Sequence, residues 1–395
     1  MRILHVIPSI AQVRGGPSQA VLEMVKALND SGMEAEIATT NDNGSVLLDV
    51  PIGQCSEYQH VPVWFFSRFS PNIHSVREFA FSSQLTTWLW QNIDRYDLLH
   101  IHAIFSYPST MAMAIARQQN VPYIARPLGQ LCEWSLQQSA RKKQLYLDAI
   151  ERVNLNGAKA LHFTAQQEQT EVKSLCLKPS SFILPHGLGM PSPCLDARQI
   201  LRQQLNLPPD EPIILFLSRL HPKKGLDILI PALGKLLRHR FTFVLAGDGD
   251  SAYTAYLRTL LETHGLDERT HWMGFVKGEQ KNQLLQGADL FALTSHSENF
   301  GIAVLEALAA GLPALVAPGV ALAPMIRQYQ LGYVADLDEG AIAQTLEQYF
   351  ARPVEAKAMG DRARQFVLER YTWDRIAAQL IEVYTAILSK QPIPH

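Results

Sequence analysis

No run of apolar residues in this sequence approaches the roughly 18 that a transmembrane helix requires, so no membrane span is expected. Cysteine is scarce. Cys55, Cys132, Cys176 and Cys194 show neither a C-x-x-C pair nor metal-ligand spacing, and they read as reduced thiols of a cytoplasmic protein rather than a disulfide framework. Neither sign of charge dominates: the formal net charge is −2, which gives no ground for a nucleic-acid partner. Low-complexity segments and short fixed repeats are also missing. The opening stretch from Met1 to Pro8 is too short an apolar run for a signal peptide, and Pro8 breaks it, so it reads as a strand.

What is present is length and apolar content. The chain has 395 residues, 47% of them apolar, which is too much for one ordinary core and suits two domains of roughly 200 residues. The strongest punctuation is a run of Gly187, Gly189, Pro191, Pro193, Pro208, Pro209 and Pro212, which marks a boundary. The expected organisation is an N-terminal domain over 1–187, a linker over 188–211, a C-terminal domain over 212–370 and a terminal helix over 371–395.

In the N-terminal half, Ile3 to Ile7 is a strand, Gly15-Gly16-Pro17 a loop, Ala20 to Leu28 an amphipathic helix and Glu34 to Thr39 a second strand. This is a β-α-β start with a glycine-bearing first turn, though without the G-x-G-x-x-G fingerprint. Gly15 and Gly16 read either as a nucleotide-type turn or as a turn that needs positive φ. Aromatics crowd the stretch 60–95 (Trp64, Phe65, Phe66, Trp88 and Trp90 among them), as core, as an acceptor groove or as a membrane-facing patch. The strand Tyr96 to His102 carries His100 and His102 on one face by alternation. A metal reading is poor because no third ligand falls nearby in sequence. Arg126 ends a further strand, where it could hold an acceptor hydroxyl or phosphate. A helix over 136–154 carries Arg141, Lys142 and Lys143, either a solvated face or a basic surface that contacts an anionic membrane.

In the C-terminal half, the strand ending at Ser218 leads into a basic loop with Arg219, Lys223 and Lys224. Two charges on one short loop suit a diphosphate, Arg219 by its planar fork and Lys224 as a point charge, with Lys223 the exposed neighbour. Otherwise the loop is merely solvated. Gly247 and Gly249 follow the next strand, either for close backbone approach or for a tight turn. The third strand runs into Phe275 and Val276. Leu290 to Thr294 is a strand, 295–299 a loop, and from Phe300 the apolar residues recur at helical spacing until Gly311-Leu312-Pro313.

Glu298 precedes that helix and Glu306 lies eight residues later. A rise of about 1.5 Å per residue, with side chains tilted toward the N-terminus, lets both carboxylates serve one ligand at the helix mouth. The amides of Asn299, Phe300 and Gly301 there suit a phosphate. The plain alternative is an acidic N-terminal turn and one solvated glutamate.

The seventeen residues from Ser297 to Pro313, S-E-N-F-G-I-A-V-L-E-A-L-A-A-G-L-P, resemble the signature of the group-1 (family 4) retaining glycosyltransferases. S-R-L-x-x-x-K-G from Ser218 to Gly225 and D-h-h-H-h-H from Asp97 to His102 are similar to further motifs of that family. The resemblance implies an α/β, GT-B fold: two Rossmann-like domains with parallel sheets facing a central cleft, and a tail helix crossing back. It implies a nucleotide-diphosphate sugar (UDP- or GDP-linked) as donor and a glycan or lipid-linked saccharide as acceptor. Bacterial surface polysaccharide synthesis, with the enzyme cytoplasmic or peripheral at the inner membrane face, is the setting it suggests.

Residue by residue, the resemblance implies that Arg219 and Lys224 neutralise the leaving diphosphate. It puts Gly247 and Gly249 beside the nucleotide, and the backbone at Phe275 and Val276 against the base. Glu298 would hold the sugar, Glu306 the ribose, and His102 the reaction centre, with Gly15 and Gly16 near the donor phosphates. No metal and no further cofactor is implied, and Asp248-Gly249-Asp250 reads as a turn. The family's Asp after Pro185-His186-Gly187 is replaced here by Leu188-Gly189-Met190. Rival readings are a sugar-nucleotide epimerase, a glycoside phosphorylase, a two-domain sugar-binding protein and a catalytically silent partner subunit.

Overall fold

A computed structural model describes residues 1–189 and 192–394. Met190 and Pro191 of the expected linker, and His395, lie outside the described residues. The chain divides into two compact units, Met1–Gly189 with Trp373–His395, and Met190–Thr372.

The first unit is built on an eight-stranded sheet. Its strands are β1 (Arg2–Val6), β2 (Glu34–Thr40), β3 (Cys55–Tyr58), β4 (Val61–Phe66), β5 (Leu98–His102), β6 (Tyr123–Arg126), β7 (Ala160–Phe163) and β8 (Ser180–Ile183), in the order β8-β7-β6-β5-β1-β2-β4-β3. All neighbours are parallel except β3 and β4. Those two form an edge hairpin whose turn residues Gln59 and His60 have φ of 51° and 64°, the positive-φ pair that matches strand twist. Ile3, Leu4, Val6, Leu98, Leu99 and Ile101 have no exposed surface, as expected for parallel strands covered on both faces.

The helix α1 (Gly16–Asp30) follows β1 and packs against the C-terminal helix, Trp373–Leu388. Gly187 is required where that helix begins: a Cβ there would lie 2.3 Å from the Trp373 ring.

The aromatic stretch divides. Phe65 and Phe66 are core, while Phe69 and Trp90 are more than half exposed. The helix expected over 136–154 is broken at Ser139: Glu133–Gln137 precedes the break, and after it Ala140–Tyr146 continues through a π-helical turn, Leu147–Glu151, into Arg152–Asn156. Its basic residues do not share a face. Arg141 and Lys142 are exposed, but Lys143 donates to the Ser135 carbonyl at 2.6 Å and lies over the Phe105 ring.

The second unit has a six-stranded parallel sheet: β9 (Ile213–Leu217), β10 (Thr242–Ala246), β11 (Thr270–Gly274), β12 (Leu290–Leu293), β13 (Ala314–Val316) and β14 (Gly332–Val334), in the order β11-β10-β9-β12-β13-β14. Part of the expected linker is a helix, Ala197–Gln204, which belongs to this unit and packs on the helix Gly278–Gly287. Arg202 anchors it, donating to the carbonyls of Gly287 and Glu211 and pairing with Asp289.

Candidate functional site

In the second unit the strand order reverses direction between β9 and β12, which are neighbours. Loops leaving the carboxyl ends of adjacent parallel strands are forced together, and ligands of open α/β sheets bind there. The loop after β9 contains Arg219 to Gly225. It is sewn to the end of β12: the His296 amide donates to the Lys223 carbonyl at 2.9 Å and the Thr294 hydroxyl to the Gly225 carbonyl at 3.1 Å. This stitching brings Lys224 onto Glu298, and the two form a hydrogen-bonded ion pair. The Ser295 hydroxyl donates to the same glutamate oxygen at 3.3 Å. Glu298 is held from below by residues 319–321: its amide donates to the Gly319 carbonyl and its carbonyl accepts from Ala321.

Arg219 is exposed and makes no ion pair among the described residues. Lys223 is not the exposed neighbour expected, since it is half-buried like Lys224. His221 reports the local field. Burial first, then the charges of Arg219, Lys224 and Lys223, push its pKa below the ordinary histidine value.

Gly247 and Gly249 have a clear structural task. At Gly247, φ is 145° and a Cβ would sit 1.9 Å from the Ser218 carbonyl oxygen, so only glycine fits. Gly249 bridges to Leu220, whose amide donates to the Asp248 carbonyl. The loop after β10 therefore braces the loop that carries Arg219. Asp250 caps the helix Ser251–Thr263 through the Ala252 and Tyr253 amides. Beyond β11, the Phe275 side chain is 60% exposed, whereas Val276 is buried.

The helix expected from Phe300 is α2 (Ile302–Ala309), with Gly301 as its N-cap. Asn299 and Phe300 precede it, and each has an interaction within the protein. The Phe300 ring is buried near that of Tyr371. Glu306 pairs with Lys281, Nζ to Oε1 at 2.7 Å, so each acid of the E-x7-E pair has its own lysine.

The first unit gathers a different set. Gly15 is the N-cap of α1 and Gly16 its first residue. His102 is fully buried, its Nε2 3.0 Å from Nδ1 of His5. His5 and His100 are register partners on adjacent strands. His5 thus supplies the third imidazole missing from the local sequence, and one ring nitrogen each of His5, His100 and His102 lies within 4.8 Å of the others.

Metal binding is still a poor fit, because both nitrogens of His100 are engaged. The chain of bonds fixes the tautomers. His162 Nε2 faces the Leu184 carbonyl at 2.7 Å, so it carries the proton and Nδ1 accepts. His100 Nε2, 3.1 Å away, must donate to it. His100 Nδ1 then accepts from the Tyr384 hydroxyl at 2.8 Å, which ties the C-terminal helix to the sheet. Burial first, then the charge of Arg126 and repulsion among the rings, lowers the pKa of these imidazoles, with His5 pushed down to about 3 by burial and Arg126.

Arg126 stands beside them, fully buried, one nitrogen 3.2 Å from His186. Its Nε and Nη1, with His102 Nδ1 and His5 Nε2, have no hydrogen-bond partner among the described residues.

Two elements carry no sequence motif. Asp42 pairs with both Arg14 and the buried Arg68, fixing the loop ahead of α1. Glu151, turned inward by the π-helical segment, accepts from the Thr110 hydroxyl at 2.6 Å.

Comparison with known proteins agrees with this architecture. The family profile for glycosyl transferases group 1 matches residues 197–366, and that for the glycosyl transferase 4-like domain matches 15–180. The chain is a group-1 glycosyltransferase. An uncharacterized glycosyltransferase of Methanocaldococcus jannaschii is 34% identical to it over 185 residues, 46% of this chain and 47% of that protein. The D-inositol 3-phosphate glycosyltransferase of Streptomyces scabiei is 25% identical over 391 residues, 95% of this chain and 87% of that protein. HepE of Anabaena, solved in complex with UDP and glucose, superposes with a TM-score of 0.76 at 19% identity, covering 98% of this chain and all of that one. The glycosyltransferase therefore has the GT-B fold of two Rossmann-like domains.

Proposed function

We propose that this glycosyltransferase moves a sugar from a nucleoside diphosphate donor to a saccharide acceptor, glycan or lipid-linked, with retention at the anomeric carbon. The observation that carries the reading is the joining of Lys224 and Glu298 beside the exposed Arg219, where β9 and β12 end. A diphosphate leaving group needs positive charge placed where its own charge develops. Arg219 and Lys224 supply that charge, so the reaction proceeds without a divalent metal.

The donor's C1–O bond to phosphate breaks and a new C1–O bond to the acceptor oxygen forms on the same face. The acceptor proton passes to the departing phosphate oxygen. Glu298 binds the sugar hydroxyls and faces the positive charge that develops at C1. Glu306 binds the ribose. HepE, which holds UDP and glucose on this fold, supports a nucleoside diphosphate sugar as donor. The acceptor falls to the first unit, where His102 Nδ1 has no hydrogen-bond partner among the described residues.

Activity of the purified protein with UDP- and GDP-sugars tests the reading, with the anomeric configuration of the product read by NMR. An inverted product would refute retention. Sugar phosphate formed from inorganic phosphate would mark a phosphorylase, and an isomerised nucleotide sugar an epimerase.

A further inference from the structure

Glu306 does not stand alone on α2. Lys281, from the helix Gly278–Gly287, reaches it across 25 residues of sequence and places Nζ 2.7 Å from Oε1. The pair is neither fully buried nor freely solvated: the lysine side chain is 35% exposed and the glutamate 21%. A carboxylate has two oxygens and about four lone-pair directions. One ammonium on Oε1 leaves Oε2, and one direction of Oε1, for other donors. A vicinal diol needs that arrangement, one oxygen for each hydroxyl in a fixed plane. The terminal torsion of an unrestrained glutamate is broad, so its plane would have to be ordered when the diol arrives.

We infer that Lys281 is a positioning residue, which holds the Glu306 carboxylate in the plane that receives the ribose 2′- and 3′-hydroxyls of the donor nucleotide. The inference rests on the ribose role of Glu306 proposed above. It also accounts for the lysine-to-acid matching of the site: Lys224 serves Glu298 at the sugar and diphosphate, and Lys281 serves Glu306 at the ribose. A lysine that only decorated the surface would contribute little and would not depend on the ligand's hydroxyls.

The test is calorimetric titration of the full chain with UDP and 2′-deoxy-UDP, and with GDP and 2′-deoxy-GDP. The proteins are the wild type, Lys281→Met, Lys281→Arg and Glu306→Ala. The wild type should prefer the ribonucleotide, and Glu306→Ala should lose that preference. Lys281→Met should weaken ribonucleotide binding by about three- to tenfold, the range for ordering one flexible side chain. It should weaken the deoxynucleotide less, since only the 3′-hydroxyl remains there for Glu306, and Lys281→Arg should restore most of the loss.

If Glu306→Ala loses the preference while Lys281→Met keeps the wild-type ratio, or weakens both nucleotides equally, the role of Lys281 is overturned and that of Glu306 stands. If Glu306→Ala keeps the preference, the ribose reading itself is wrong. Melting temperatures of the unliganded variants guard against misfolding as the cause.

Discussion

Lys224 and Glu298 are 74 residues apart in sequence and bonded to each other in the folded chain. The pair is mostly buried, with 14% and 15% of the side chains exposed. In the ligand-free protein each group therefore satisfies the other. On the proposed reading, a diphosphate sugar would offer both a new partner: phosphate oxygens for the ammonium and hydroxyls for the carboxylate. Donor binding would then be an exchange of partners at one spot, with the two motifs already stitched together by backbone bonds.

Replacing Glu298 by alanine should remove the sugar contact and leave the cationic loop intact. Transfer should fall by at least about 100-fold, the scale of losing one group that stabilises developing charge. Nucleoside diphosphate binding, followed by calorimetry, should persist. Near-normal turnover would remove Glu298 from the reaction.

Glu306→Gln and Glu298→Gln should separate. The first should weaken UDP or GDP itself, the second only the sugar conjugate. Equal effects on the free nucleotide would contradict distinct ribose and sugar sites.

Chelation gives an independent check of the charge argument. With Arg219 and Lys224 at the leaving group, activity should survive EDTA. A complete loss restored only by Mg²⁺ or Mn²⁺ would count against it.

The histidine cluster makes the first unit sensitive to acid. Burial keeps His5, His100, His102, His162 and His186 neutral with pKa values below the ordinary one. In the unfolded chain these groups take up protons near pH 6.5. Protons therefore favour unfolding. The stabilisation is complete above about pH 6.5 and is lost as pH falls below it. Arg126, which faces the cluster, strengthens the effect, since a second positive charge there would be repelled. Glu151 and Glu168, whose pKa values burial raises, work the other way, but only as pH approaches the carboxylate range. Scanning calorimetry should show a melting temperature that drops between pH 7.5 and 5.5. A flat or rising profile would refute the neutral assignment.

Tyr384→Phe should destabilise the protein by about 1–3 kcal/mol, because it strands the His100 acceptor in the core. For a unit of this size each kcal/mol lowers the melting temperature by about 2–4 °C. An unchanged melting temperature would contradict the bond network.

Much of the fold was legible because a parallel sheet covered on both faces writes itself as apolar runs. Ile213 to Leu217 and Leu98 to Ile101 announce their strands directly. The acids and cations of the candidate site could be picked out for a related reason: they follow strand ends at short, fixed offsets, as Arg219 follows Leu217. What escaped was pairing between distant segments. Lys281 sits in a polar helix with no motif, and only packing shows its carboxylate. His5 and His162 each interrupt an apolar strand, which is a signal, but their partners depend on register. Gly247 looked like a ligand turn and serves first to let one loop cross another. The helix at Ala197–Gln204 was hidden among prolines that looked like a linker, and Ser139, with φ of 57°, breaks a helix whose periodicity ran straight through it.

The most direct test of the central claim is a thermal-shift series of the purified protein against UDP, GDP, ADP and their common sugar conjugates, with Arg219→Ala/Lys224→Ala as control. A ligand raises the melting temperature of the state that binds it. The account predicts a clear rise with one nucleotide and its sugar conjugate in the wild type, and its loss in the double variant. An equal rise in the double variant, or no rise with any nucleotide, would contradict a diphosphate site at Arg219 and Lys224.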